Sequence, residues 1–291
     1  MISSAEVSYI TDGIKQGIRS DGRPCDGVRP LELELGVIPS ANGSCRVLSK
    51  ACDIVVAIKC DISRPSPEKP AEGVVNVEVE LSSTVLPRIQ DFLGRQAILE
   101  ADSYSEVIAN HISSMCLSSL DKKQFCIESG KACWCVSIDV LVERIDGPLL
   151  DPISIGVRGA LLDLELPAVA VSQRDERDGD EQRMSMMPQV DLLGSLWRPQ
   201  EGTLSAICIT IGIFCLDTVI MVDLDRIEES IAKLKENSLL TIAVNDQGNC
   251  CGIHKFGSGS LEPLIVKDVI NAGISVGYKI SSMLTCLKHK N

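Results

Sequence analysis

The sequence predicts an α+β fold built from two similar halves, each running from strands into a helix. Three observations carry that expectation. Apolar and acidic residues alternate with a period of two at Leu31–Leu35 and Val75–Leu81, the pattern of half-buried strands. Aliphatic residues recur at three-four spacing in longer stretches, the pattern of helices. The order of strands and helix then repeats after a charged break at Ser172–Pro188.

Taken in chain order, Glu6–Ile18 places Val7, Ile10, Ile14 and Ile18 on one helical face. The polar turn Arg19-Ser20-Asp21-Gly22-Arg23-Pro24 follows. Strands are expected at Leu31–Leu35, Cys45–Leu48, Asp53–Cys60 and Val75–Leu81. A helix over about 102–119 aligns Ile108, Ile112 and Met115, and Cys133–Val142 reads as the next strand. Asp151-Pro152 looks like a helix start, with an acidic cap followed by proline at the first helical position. That helix turns Ile153, Val157, Ala160, Leu161 and Leu164 inward. The run from Arg174 to Arg183 has no apolar periodicity and reads as a solvated loop or linker. Beyond it come strands at Leu204–Ile213 and Thr218–Val222, then a helix carrying Ile227, Ile231 and Leu234. A hairpin of Leu239–Val244 and Asn249–Phe256 turns at Asp246-Gln247-Gly248. A last helix runs from about Leu261 to Lys288. The expected units are residues 1–28 (helix and turn), 29–171 (first half), 172–188 (acidic loop) and 189–291 (second half).

Composition narrows the function classes. The 291 residues are 45% hydrophobic and 23% charged, as in a globular protein, and only 3% aromatic, so the core is mainly Val, Ile and Leu. A net charge of −12 argues against a free-standing nucleic-acid binder, which normally presents a basic face. It permits a member of an assembly whose neighbours supply the positive charge. Met1–Ser20 is amphipathic and broken by charges, unlike a signal peptide. Leu204–Val222 is interrupted by Asp217 and reads as two strands rather than a membrane span. Thirteen cysteines are scattered without a C-x-x-C, and His111, His254 and His289 are the only histidines. Zinc sites want closely spaced pairs, so no metal is expected and free thiols are the preferred reading.

Five landmarks in order resemble the RNase PH family. They are Arg19-x-Asp21-Gly22-Arg23 after a first helix, Gly43-Ser44 before a strand pair, the Asp139-Val140-Leu141 strand, the Asp223-Leu224-Asp225 strand end, and Gly257-x-Gly259-Ser260 before a long helix. The resemblance spans about Glu6 to His289. It implies an RNase PH-like fold, of the ribosomal protein S5 domain 2-like kind. Family enzymes shorten RNA from its 3′ end with inorganic phosphate as nucleophile. That chemistry needs a Gly-Thr/Ser-Arg phosphate loop at a helix N-terminus and carboxylates that hold Mg²⁺ or act as general acid.

This sequence departs from the family at both places. The loop reads Asp146-Gly147-Pro148-Leu149-Leu150-Asp151, with no arginine or hydroxyl and an acid at each end. Asp151 there reads as a structural cap whose charge would repel phosphate. The family's carboxylate pair falls on Glu229 and Lys235, and lysine cannot coordinate Mg²⁺. Glu228, Glu229 and Glu236 read as solvated acids. Lys50-Ala51-Cys52 departs from the Gly and Thr that the family usually has in that strand turn. The pattern resembles the non-catalytic ring subunits of archaeal and eukaryotic exosomes. The resemblance therefore implies no catalytic residues, cofactor or metal. It implies a hetero-oligomeric ring with other RNase PH-like subunits and S1/KH cap subunits, RNA threading the channel, no membrane, and residence in nucleus, nucleolus and cytoplasm. Segment 87–95 resembles the one that carries channel arginines, which makes Arg95 and Arg88 the candidate RNA contacts; ordinary solvent-exposed arginine is the alternative. The apolar Leu204–Val222 stretch fits either a subunit interface or an internal sheet. Two other classes stay open: a phosphorolytic nuclease with relocated groups, and an unrelated α+β interaction protein.

Overall fold

The computed structural model describes residues 4–85, 101–171, 190–200, 204–214, 219–233, 237–257 and 259–288. An amphipathic helix, α1 (Ser4–Lys15), opens the chain. The first half then forms β1 (Glu32–Leu35), β2 (Gly43–Leu48), β3 (Asp53–Ser63), β4 (Val74–Leu81), α2 (Ala101–His111), β5 (Cys126–Glu128), β6 (Ala132–Arg144) and α3 (Leu150–Asp163). A hairpin of β7 (Leu166–Val171) and β8 (Val190–Trp197) follows. The second half comprises β9 (Ile207–Phe214), β10 (Val219–Val222), α4 (Arg226–Ala232), β11 (Ser238–Val244), β12 (Cys250–Phe256) and α5 (Pro263–Lys288).

The first sheet has the order β1-β2-β3-β6-β4, with β5 added on β6. All its pairs are antiparallel except β4–β6, which is parallel. The second sheet, β10-β9-β11-β12, is antiparallel throughout. Helix α3 lies between the two, packed on β2 and β3 by one side and on β9 by the other. A helix covered all round should be apolar all round. In α3 only Asp151 and Asp163 escape full burial. The close fit on β2 depends on a missing side chain at Gly159, where a Cβ would lie 2.5 Å from Cys45 Sγ.

The second sheet is covered on both faces. Helices α3 and α5 pack on one; Ile14 of α1 and Ile231 of α4 close the other over Phe214, Met221, Leu224 and Leu239. Every residue of β9 and β11 is consequently buried, which is why Ile207–Phe214 is a near-continuous apolar run. Strand β9 is paired with β11 over Ile207–Ile213 and with β10 over Ile211–Phe214, so this part of the Leu204–Val222 stretch is an internal sheet strand.

Several expectations are corrected. The helix expected over 102–119 is α-helical only to His111; a π-turn, Ile112–Cys116, then redirects Ile112, Met115 and Cys116 into the core. Helix α3 starts at Leu150, so Pro152 is its third residue, and its N-cap is Leu149 rather than Asp151. Hairpin β7–β8 and strand β5 were not expected, because Leu192-Leu193 breaks the period of two and β5 has only 3 residues. The run Ser172–Pro188, Leu234 and Thr218 lie outside the described residues. Among the described residues no helix is long and apolar enough to cross a membrane.

Candidate functional site

The site is best built from the charged turn that leaves α1. Arg19 is buried and puts its guanidinium against Glu228 of α4, with Nε–Oε1 at 3.0 Å and Nη2–Oε2 at 2.6 Å. It also donates to the carbonyls of Val222 and Asp223. Glu228 in turn closes a capping box with Asp225, each side chain accepting from the other's backbone N–H. Glu228 is 2% exposed, so it is a structural ion-pair partner and not the solvated acid its helix position suggested.

Asp223, at the end of β10, is the only non-glycine residue with positive φ (50°) among the described residues. Its carboxylate collects donors from both sides. Arg23 Nη1 reaches it at 2.9 Å, Arg29 Nη2 at 2.5 Å, and the Arg29 backbone N–H at 2.5 Å. Arg29 donates further to the carbonyls of Asp146 and Leu224. Burial opposes the charge of Arg29, but the bonds to Asp223 outweigh it and hold the guanidinium above its ordinary pKa. The sequence marked Arg19 and Arg23 as a motif and missed Arg29, which has no motif of its own.

The loop Asp146–Asp151 packs against this network. Gly147 has φ 121°, and a Cβ there would collide with the Leu224 carbonyl oxygen. Asp151 points across to β9. Its carboxylate accepts from Thr210 N at 2.8 Å and Thr210 Oγ1 at 2.6 Å. Strand β10 pairs with β9 only over Ile211–Phe214, so Thr210 N–H has no strand partner on that side. Asp151 supplies the acceptor. One turn on, Ser154 Oγ does the same for Cys208 N–H at 2.8 Å, and Arg158 Nη1 donates to the Ser205 carbonyl at 2.6 Å. Helix α3 thus stands in for a missing strand along β9, satisfying backbone groups that would otherwise be buried without partners. Burial drives the Asp151 carboxyl up to about 7, against the opposing pull of the Thr210 hydrogen bonds.

Between loop and network lies a cavity with about 50 Å³ of water-accessible space, lined by Arg29, Cys52, Asp146, Asp151, Asp223 and aliphatic side chains including Val276 and Ile280 of α5. Small-molecule sites run from roughly 300 Å³ upward. Three carboxylates face one arginine that is already committed, and the Ser49 hydroxyl on the same wall is engaged by the backbone of Ala51 and Cys52. Among the described residues, the walls therefore offer an anion no spare cation. Glu229 pairs with Lys233 at 2.8 Å, while Lys235 and Glu236 lie outside the described residues. The same holds for Arg88 and Arg95.

Comparisons with known proteins agree with this architecture. The family model "3′ exoribonuclease family, domain 1" matches residues 27–167, and its domain 2 matches 205–276. The chain is 29% identical over 270 residues to an exosome complex component Rrp42 of Methanocella arvoryzae, covering 93% of this chain and 92% of that protein. It is 26% identical to a putative exosome complex exonuclease RRP42 of Dictyostelium discoideum, covering 97% and 96%. Among solved structures, a chain of the Archaeoglobus fulgidus exosome with RNA bound to the active site superposes with TM-score 0.73 at 22% identity, covering 95% and 96%.

Proposed function

The chain belongs to the 3′ exoribonuclease (RNase PH) family, and from that premise we propose that it is a non-catalytic ring subunit of an exosome, helping to form the channel through which RNA is threaded. The family relatives named as exosome components support the assembly. The site chemistry supports the loss of catalysis. Where phosphate would have to bind, Asp151 is engaged by Thr210 and Arg29 by Asp223, so among the described residues no free cation faces the anion.

Two measurements test this. Incubated with RNA and inorganic phosphate, the pure chain is expected to release no nucleoside diphosphate; sustained release makes it a phosphorolytic nuclease instead. Native mass spectrometry of the tagged protein from its host is expected to weigh a heteromer containing other RNase PH-like chains. A monomer or homo-hexamer overturns the ring reading.

Within that reading, Arg95 and Arg88 are assigned to the channel, where arginines grip phosphates without sequence preference. Arg95→Glu in the assembled ring is expected to shorten the RNA protected from added nuclease; unchanged protection removes the assignment. The partners are other RNase PH-like subunits and S1/KH cap subunits. The residence assigned is that of the assembly, in nucleus, nucleolus and cytoplasm.

A further inference from the structure

The two faces of the first sheet are treated differently by the fold. Helices α2 and α3 cover one face. On the other, outward positions of β1, β4 and β6 carry Glu32, Glu34, Glu78, Glu80, Asp139 and Glu143, all exposed. The parallel register of β4 and β6 sets Glu78 beside Asp139. Adjacent strands lie about 4.8 Å apart, and like charges set side by side destabilise a sheet. Neither acid has an ion-pair partner among the described residues. Two strand cations share this face: Arg46 lies across from Glu34 but gives Nε and Nη2 to Asp53, each at 2.9 Å, and the exposed Lys59 of β3 stands diagonal to Asp139 without forming an ion pair with it.

Between the acids the floor is aliphatic. Val55, Ala57 and Leu141 point outward from β3 and β6 and are half-buried. The face therefore combines a net negative charge, six exposed acids against the one exposed lysine Lys59, with a small apolar centre. Its complement is a protein surface presenting lysine or arginine around an apolar patch. RNA, a polyanion, is repelled by the same field.

We infer that the open face of the six-stranded sheet docks a lysine- and arginine-bearing surface of a neighbouring protein subunit. The inference rests on the ring-subunit reading and adds to it which face meets protein rather than RNA. Docking explains why the Glu78–Asp139 opposition is tolerated: cations from the neighbour supply ion pairs that no described residue of this chain makes with these two acids.

The test uses the tagged protein purified with its native partners and a zero-length carbodiimide, which joins carboxylates to lysine amines in direct contact. Cross-links from Glu78, Glu80 or Asp139 to lysines of another chain are expected. A second arm uses Glu78→Lys with Glu80→Lys. In the isolated chain this variant is expected to melt at or above the wild-type temperature, because a cation then stands beside Asp139 in place of an anion. In the assembly its association with partners is expected to be about ten-fold weaker, as for a lost charge-complementary contact. An intact assembly with no such cross-links, or one that takes up the double variant as readily as wild type, overturns this inference alone. A chain that co-purifies with no other protein overturns it together with the ring reading.

Discussion

At the residue scale, one largely enclosed carboxyl and one buried ion pair shape how the chain responds to pH and mutation. Asp151 has a folded-state pKa of about 7 against an ordinary 3.8, so between those values the native state holds a proton that the unfolded chain has lost. Its contribution therefore favours the native state at low pH and is progressively lost as pH rises to about 7, then stays constant. Asp151→Asn removes this titration while keeping an oxygen acceptor for Thr210. The variant is expected to gain urea-midpoint stability relative to wild type on moving from pH 5 to pH 8; a pH-independent difference would show that Asp151 does not titrate there. Arg19 and Glu228 form the other case. Removing one partner of a buried pair strands the second charge and typically costs about 3–5 kcal/mol. Arg19→Ala should show a loss of that size in urea unfolding, and a loss under about 1 kcal/mol would mean the pair is solvated.

At the scale of elements, α3 is the joint of the molecule. It is buried almost all round because two sheets cover it; its one polar line, Asp151, Ser154 and Arg158, is spent on β9 and the residues before it, and Gly159 sets the distance to β2. Alanine is a better helix former than glycine by about 1 kcal/mol. Gly159→Ala is nevertheless expected to destabilise by about 1–3 kcal/mol, because overpacking at Cys45 outweighs propensity. Adding Cys45→Ala should recover part of that loss, because it removes the 2.5 Å contact with Sγ and leaves the 3.1 Å contact with Cβ; absence of any recovery would place the strain elsewhere. A second contact between the halves joins the end of α2 to β12, where His111 and His254 rings lie 4.3 Å apart and His254 lies 4.3 Å from Phe256. Burial, helped by His254, lowers the His111 pKa below 6.5. The unfolded chain then binds protons more readily, so stability falls as pH drops below about 6.5. This slope is opposite to that of Asp151. His111→Phe should flatten the melting-temperature decline between pH 7.5 and 5.5, and an unchanged decline would exclude His111 as its source.

At the scale of the whole molecule, the net charge of −12 has a location as well as a size. Acids crowd the open face of the first sheet, while Arg19, Arg23 and Arg29 are drawn inside to bind the second half to the N-terminal turn. Three of the 28 lysines and arginines are thereby used to hold the chain together. If the open face is an interface, assembly should weaken as ionic strength rises, since the Debye length shrinks to about 3 Å at 1 M salt. Native mass spectrometry of complexes washed at increasing salt reads this directly: loss of partners is expected, and salt-insensitive retention would argue for contacts that are mainly apolar.

Much of this was legible in the sequence, because strand alternation and helical spacing are local consequences of which face is buried. Leu31–Leu35 and Val75–Leu81 announced half-buried strands, and the ordered landmarks from Arg19 to Ser260 announced the family. The acids at Asp146 and Asp151 were enough to question a phosphate site. What those acids do instead was decided by tertiary structure alone. Asp151 looked like a helix cap because capping is the commonest local use of an acid at a helix start. It serves Thr210, 59 residues away, because β10 leaves that N–H without a strand partner. Glu228 looked solvated until the fold brought Arg19 across 209 residues to meet it. Burial pattern is written in nearest neighbours along the chain; the partner of a buried polar group is chosen by packing between elements, and no local period records it.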